Sequence, residues 1–168
     1  MRALVAAGLS ALALAACSDV PPNEVSSPGG TSSPTSSAAP TTATPAAARE
    51  YAAELLRLTN DVRAEHDLPA LEPSACAVEQ ASARAQDLVG ADERIHAPLD
   101  GVLEACSPAS LAAENLARGG ASAERVVEAW MESPGHRANV LEPAVTTAGA
   151  GCVEDDGQGL VCSMIYFG

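Results

Sequence analysis

Lysine is missing from this chain: all nine positive side chains are arginine, set against 22 acidic ones for a formal net charge of −13. That balance argues against nucleic acid as a partner, because phosphate binding needs a basic face. It argues equally against electrostatic adhesion to anionic lipid, and an acidic surface serves first to keep an exported domain soluble. No internal repeat is visible, and no G-x-S-x-G elbow occurs that would mark a hydrolase nucleophile. Close C-x-x-C spacing, the usual mark of a structural zinc site, is absent as well. The longest apolar run falls short of the roughly 20 residues needed to span a bilayer as a helix.

What is present begins with that short run. Met1 and Arg2 precede an apolar stretch from Ala3 to Ala16, the positive-then-apolar order of a secretory signal. It closes on Leu14-Ala15-Ala16-Cys17, which resembles the bacterial lipobox. The resemblance implies cleavage after residue 16, lipidation of Cys17 and attachment to a membrane through two or three acyl chains, enough for a durable anchor. From Ser18 to about Ala47 the residues are mostly Pro, Ser, Thr, Ala and Gly, with too little apolar bulk to offset the entropy of ordering. Such a tether spans roughly 30 Å as a coil and about 90 Å if extended. The expected organisation is therefore a signal peptide over 1–16, a lipidated Cys17 and tether over 17–48, and one domain over 49–168, held outside the cytoplasm on a membrane.

Within the domain, Tyr51, Leu55, Leu58 and Val62 predict an amphipathic helix over 49–66, broken at Leu68-Pro69. Ser74 is placed to cap a second helix with Val78, Ala81, Ala85, Leu88 and Val89 on its apolar side and Glu79, Arg84 and Asp87 on its surface. Residues 91–108 show little periodicity and read as one long functional loop. A short segment, Leu111 to Ala117, leads to Gly119-Gly120, and Ser122 then caps a helix whose stripe is Ala123, Val126, Val127 and Trp130. Trp130 is read as core. Ser133-Pro134-Gly135 stops that helix.

The runs 148–153 and 160–167 flank an acidic, Gly-containing turn and predict a hairpin. Cys76, Cys106, Cys152 and Cys162 form an even set, which in an exported chain reads as two disulfides rather than a metal site. Pairing of the hairpin strands sets Cys152 opposite Cys162 and leaves Cys76 with Cys106.

Three features carry chemistry: His96 in the long loop, Glu114-Asn115 in an otherwise apolar segment, and His136 just past a helix stop. A carboxylate such as Glu114 needs a partner if buried. Two imidazoles and a carboxylate that converge bind Zn²⁺, exchange protons or hold a ligand. Ser133, His136 and Glu114 have the composition of a triad, but Ser133 lies before Pro134, where its hydroxyl is expected to tie the turn. His136 is expected to cap a short 137–141 turn, Arg137 to lie on the surface, and His66 to end a surface helix.

Residues 50–168 resemble the CAP superfamily of cysteine-rich secretory, antigen 5 and pathogenesis-related proteins, also called SCP domains. The resemblance rests on Leu58-Thr59-Asn60-Asp61-Val62-Arg63, Leu68-Pro69-Ala70-Leu71, Ala113-Glu114-Asn115, the run from Ala129 to Leu141, and the closing stretch from Gly149 to Phe167. It implies an α+β fold, a three-layer α-β-α sandwich with a small antiparallel sheet between helices. It also implies a cleft whose two histidines match His96 and His136 and whose first glutamate matches Glu114. The second family glutamate is replaced by Ser133, and Glu132, one position earlier, points elsewhere around the helix.

The resulting expectation is an extracytoplasmic, lipid-anchored binding module, without catalysis, for a lipid, a cell-wall or other envelope component, or a protein. Its ligand-binding candidates are His96, Glu114, Ser133, His136 and Asn115. The alternative is a metal-dependent hydrolase in which His96 and His136 hold Zn²⁺ and Glu114 is base or third ligand.

Overall fold

The structure, a computed structural model, describes residues 43–91 and 95–168. The signal segment, Cys17 and most of the tether lie outside the described residues. The first helix starts earlier than its apolar pattern predicts. α1 runs Pro45–Glu65, with Thr44 accepting the Ala47 N–H at 3.2 Å and Pro45 in the first turn, so residues 45–48 belong to the domain and not to the tether. Its buried line is Ala48, Ala52, Leu55, Thr59 and Arg63. Of the expected stripe, Leu55 lies on that line, while Tyr51, Leu58 and Val62 sit half-buried at its flank.

Arg63 explains how the first helix is fixed. Its side chain is fully buried, makes no ion pair among the described residues, and donates to the carbonyls of Pro69 (2.9 Å), Val140 (2.8 Å), Glu142 (3.0 Å) and Val145 (3.3 Å). A buried cation is tolerated only when so satisfied. One side chain thereby ties α1 to the turn after it and to the segment leading into the C-terminal strands.

β1 (Glu72–Pro73) is followed by α2 (Ala75–Asp87), capped by Ser74 as predicted. The helix buries Ala77, Ala81 and Ala85, while Val78, expected on the apolar side, is 43% exposed. Alanines suffice because α2 lies almost against the sheet. A Cβ added to Gly151 would come within 2.3 Å of the Ser82 nitrogen, and one on Gly149 within 2.5 Å of the Val78 nitrogen.

The expected structureless loop over 91–108 contains a helix, α3 (Asp100–Ala105). Val102 buries against Ala77, Ala81, Ile165 and Phe167, and the Cys76–Cys106 disulfide ties its end to α2. Tertiary burial and a crosslink support a helix that a weak local pattern hides.

β2 (Ala112–Gly119), β3 (Thr147–Glu154) and β4 (Leu160–Phe167) form the sheet with β1, in the order β1-β3-β4-β2. The three long strands are antiparallel, whereas β1 pairs with β3 in parallel through two residues. Cys152 faces Cys162 across the hairpin and both predicted disulfides are formed. Between β2 and β3 lie α4 (Ala123–Glu132) and α5 (Pro134–Val140).

Alternation along β4 makes the layers. Cys162, Met164 and Tyr166 pack under α1, α4 and α5, while Ile165 and Phe167 pack on α2 and α3. The fold is thus α+β with the sheet between helices. Replacing Gly151 by alanine should cost roughly 1–3 kcal/mol of stability by overpacking the α2–β3 contact. The control Gly101→Ala, in open space on α3, should instead be neutral or stabilising by about 0.5–1 kcal/mol. Urea titration of both variants checks the pair.

Candidate functional site

Glu114 enters the interior because β2 alternates: residue 114 turns toward the α2 layer and residue 115 toward the opposite one. Its side chain is 1% exposed, and both oxygens are occupied. Oε1 accepts from Arg84 Nε (3.1 Å) and the Ser163 hydroxyl (2.9 Å), and Oε2 meets Arg84 at 3.2 Å and His96 Nδ1 at 2.9 Å. Burial pushes this carboxyl up, but hydrogen bonds from Arg84, His96 and Ser163, with the Arg84 charge, outweigh it and hold the group below the ordinary carboxylate range.

Arg84 is therefore no surface residue, as its helix position had suggested. Only 13% of its side chain is exposed, and it is the counter-ion of the site. Helical spacing carried the signal: Arg84 stands three residues after buried Ala81 and one before buried Ala85. Ser163 gave no comparable signal.

His96 uses Nδ1 on Glu114 and keeps half of its side chain exposed. The segment leading to its loop is pinned by Arg118, which donates to the carbonyls of Leu88 and Ala91 and pairs with buried Asp155 at 2.9 Å. Asp155 in turn accepts the Gly90 N–H at 2.8 Å.

His136 comes from within α5 and not from a cap before it. The chain stops α4 and restarts as α5 at Ser133, whose N–H donates to Trp130 O (3.2 Å) and whose carbonyl accepts from Arg137 (2.8 Å). The corner is made by backbone; the Ser133 hydroxyl makes no capping bond. The His136 ring stands 6.2 Å from that of His96, centroid to centroid, tilted by 55°.

Asn115, expected among the ligand-binding residues, is fully buried on the far face of β2. Its amide donates to the His136 carbonyl and to the Tyr166 hydroxyl, each at 3.2 Å, and its oxygen accepts from Asn139 at 2.9 Å. It holds α5 through the His136 carbonyl and does not line the cavity between the two histidines. Tyr166, fully buried, is pushed up from the usual phenol range by that burial, against the opposing influence of Thr59, Arg63 and Asn115.

The outcome is a cavity of about 350 Å³ lined by His96, Ala97, Leu99, Glu114, Ser133, Gly135, His136 and Asn139. Four of the five candidates meet there. Glu132 is exposed and does not line it. His66 lies elsewhere, at the end of α1, with Nδ1 on Val62 O (2.9 Å) and Nε2 facing Arg137 (3.2 Å).

A three-ligand zinc site does not fit these donors. Among the described residues no group of three or more His, Cys, Asp or Glu is arranged to hold a metal. The Glu114 carboxylate already carries a guanidinium, which disfavours a second cation on the same oxygens.

The profile of the cysteine-rich secretory protein family (CAP) matches residues 56–166. Bacillus subtilis YkwD, itself uncharacterized, is 32% identical over 118 residues, covering 67% of this chain and 46% of that protein. An extracellular SCP-domain protein from Bacillus anthracis superposes with a TM-score of 0.64 at 24% identity, over 72% of this chain and 41% of that one. An outer surface protein from Borrelia burgdorferi gives 0.62 at 22% identity, over 71% and 92% respectively. The chain thus spans less than half the length of the two Bacillus proteins.

Because Glu114 has a depressed pKa in the fold, its pairing contributes stability above the unfolded carboxylate range near pH 4.3, and that contribution is lost as pH falls through the folded value. The stability difference between wild type and Glu114→Gln should therefore be constant above about pH 5 and shrink below pH 4. Arg84→Met should cost about 3–5 kcal/mol at neutral pH by leaving the carboxylate uncompensated. Denaturant titrations across pH check both, and a pH-independent difference would contradict the assignment.

Proposed function

The chain belongs to the cysteine-rich secretory protein (CAP) family, and from that premise we propose that it is an extracytoplasmic, lipid-anchored binding module whose His96–Glu114–His136 cavity holds a ligand without transforming it. The observation that carries this reading is the state of Glu114. A general base needs a carboxylate free to take a proton and a pKa near the working pH. Glu114 has both oxygens engaged and its pKa depressed, so its role is to orient His96. The imidazoles of His96 and His136 then act as recognition groups in a cavity whose size suits a headgroup or a short saccharide.

The anchoring part of the proposal draws on the secretory signal and lipobox-like Cys17. It is supported by two disulfides, which persist in oxidising compartments. Among the described residues no helix is long and apolar enough to cross a membrane. The Bacillus anthracis and Borrelia burgdorferi neighbours bear the descriptions extracellular and outer surface.

Residues 43–168 should bind at least one member of a panel of phospholipid vesicles, sterols and cell-wall glycan fragments saturably. His96→Ala and His136→Ala should each weaken that binding at least ten-fold while the circular dichroism spectrum is kept. No saturable binding across the panel would sink the reading. Zinc calorimetry should give no difference between wild type and His96→Ala; a stoichiometric isotherm lost in His96→Ala would replace it with a metal-dependent one.

A further inference from the structure

The two edges of the sheet are treated differently. On the outer edge of β2, the carbonyls of Glu114 and Leu116 are occupied by side chains, Asn139 Nδ2 at 3.1 Å and Trp130 Nε1 at 3.1 Å. On the outer edge of β3, only the first stretch is covered: Thr146 O accepts from Glu72 and Ala148 O from Ser74, both at 2.9 Å. The chain then turns into α2 after two paired residues.

Among the described residues the rest of that edge is open. Outward-pointing backbone groups recur every second residue, so those of Ala150, Cys152 and Glu154 follow Ala148 in facing away from β4. The Cα–Cα distance of 4.1 Å between Cys152 and Cys162 agrees, since close pairs are the non-hydrogen-bonded ones in an antiparallel ladder. Among the described residues no backbone group pairs with these three.

Ala150 and Cys152 of this edge lie on the floor of a groove of about 550 Å³ between α1 and α2, whereas Glu154 does not line it and its carboxylate accepts the Ala43 N–H at 3.0 Å. Its walls are Ala53 and Leu56 on one side and Val78 and Ser82 on the other, and Val78 is one of two exposed large hydrophobics among the described residues. The charged lining residues are Arg49 and Arg57, with no carboxylate, in a chain of net charge −13. Arg57 is engaged by Glu54 and Asp61, whereas Arg49 makes no ion pair among the described residues.

We propose that this groove is a second binding site, separate from the His96 cavity, and that it accepts an extended peptide strand of a partner protein bearing an acidic side chain opposite Arg49. The backbone of Ala150, Cys152 and Glu154 supplies the ladder, small apolar side chains of the peptide fill the space beside Ala53 and Val78, and Arg49 meets the acid. Unpaired edges are ordinarily blunted or covered, and this one is protected only by being recessed. The recess also selects the occupant. A second folded copy would bring its own α1 and α2 beside its own β3 edge, and the helices would collide before the edges met.

The test uses the full chain and a labelled, end-blocked peptide of sequence Thr-Val-Glu-Val-Thr. Fluorescence anisotropy should show saturable binding, and hydrogen exchange at the Ala150, Cys152 and Glu154 amides should slow at least ten-fold in the complex. A peptide N-methylated on alternate amides, which keeps the side chains and loses the ladder, should bind at least ten-fold more weakly. Lysine in place of its glutamate should have a similar effect. On the protein, Ala53→Phe fills the groove from an exposed position and Arg49→Glu reverses its charge, so both should abolish binding while leaving the thermal midpoint unchanged. The proposal is overturned if the N-methylated peptide binds equally, or if no peptide binds. It is also overturned if the three amides are already protected in the free chain, whether by self-association on sedimentation or by the segment before Ala43, which a chain starting at Ala43 would then expose.

Discussion

The placement of His96 and Glu114 at the candidate site depends on one ion pair, Arg84 with Glu114. Strand alternation obliges Glu114 to face the α2 layer, where a lone carboxylate would be too costly to bury. Arg84 removes that cost, and the Ser163 hydroxyl takes a further position on the same group. His96 then adds to a carboxylate that is already neutralised. The order matters: the ion pair is a property of helix and strand, so His96, arriving on a loop, docks onto a preformed acceptor. Such a loop residue has its ring orientation set by rigid elements, which is the condition for a preorganised recognition site.

A second network does for His136 what the ion pair does for His96. Asn115, one residue from Glu114 but on the other face, holds the His136 carbonyl, and Asn139 holds both the Glu114 carbonyl and the Asn115 side chain. Arg63 secures the far end of the same helix through the Val140 carbonyl. The two histidines are thus fixed from opposite sides of one strand. A change at Asn115 would reach the cavity through the position of α5, without any contact between its side chain and a ligand.

Much of this was legible in the sequence, and the gaps have physical reasons. Capping residues, the hairpin and the disulfide partners could be read because each rests on local chemistry: Ser74, Ser122 and the Cys152/Cys162 register need only neighbouring residues to be interpreted. His96, Glu114 and His136 converge as the family resemblance implied. What escaped was whatever distant packing decides. The buried side of α1 includes Thr59 and Arg63, polar residues whose partners lie up to 105 positions away, so an apolar stripe could not find it. Arg84 reads as surface when only its charge is weighed, although its spacing from Ala77 and Ala81 places it on the buried side of α2. α3 was invisible because six residues carry too little periodicity, and the buried partners of Val102 come from α2 and β4, far along the chain.

The glycines of β3 connect these observations to the sheet edges. Gly149 and Gly151 let α2 approach the strand so closely that alanines can seal the contact, which draws α2 down over one face. α1 covers the other face, guided by Arg63 and by Ala48 and Ala52. Because β1 ends after Pro73 to begin α2, no strand among the described residues fills the space between the helices alongside residues 150–154. The groove is therefore a direct result of where α2 begins, and the small residues that bring α2 close also determine its depth. At the other edge, Trp130 and Asn139 cap outward carbonyls from α4 and α5, so that edge is committed to positioning the cavity. A single sheet thus treats its edges differently: β2 holds the histidine cavity in shape, and β3, among the described residues, leaves outward backbone groups without a backbone partner at the floor of a recess.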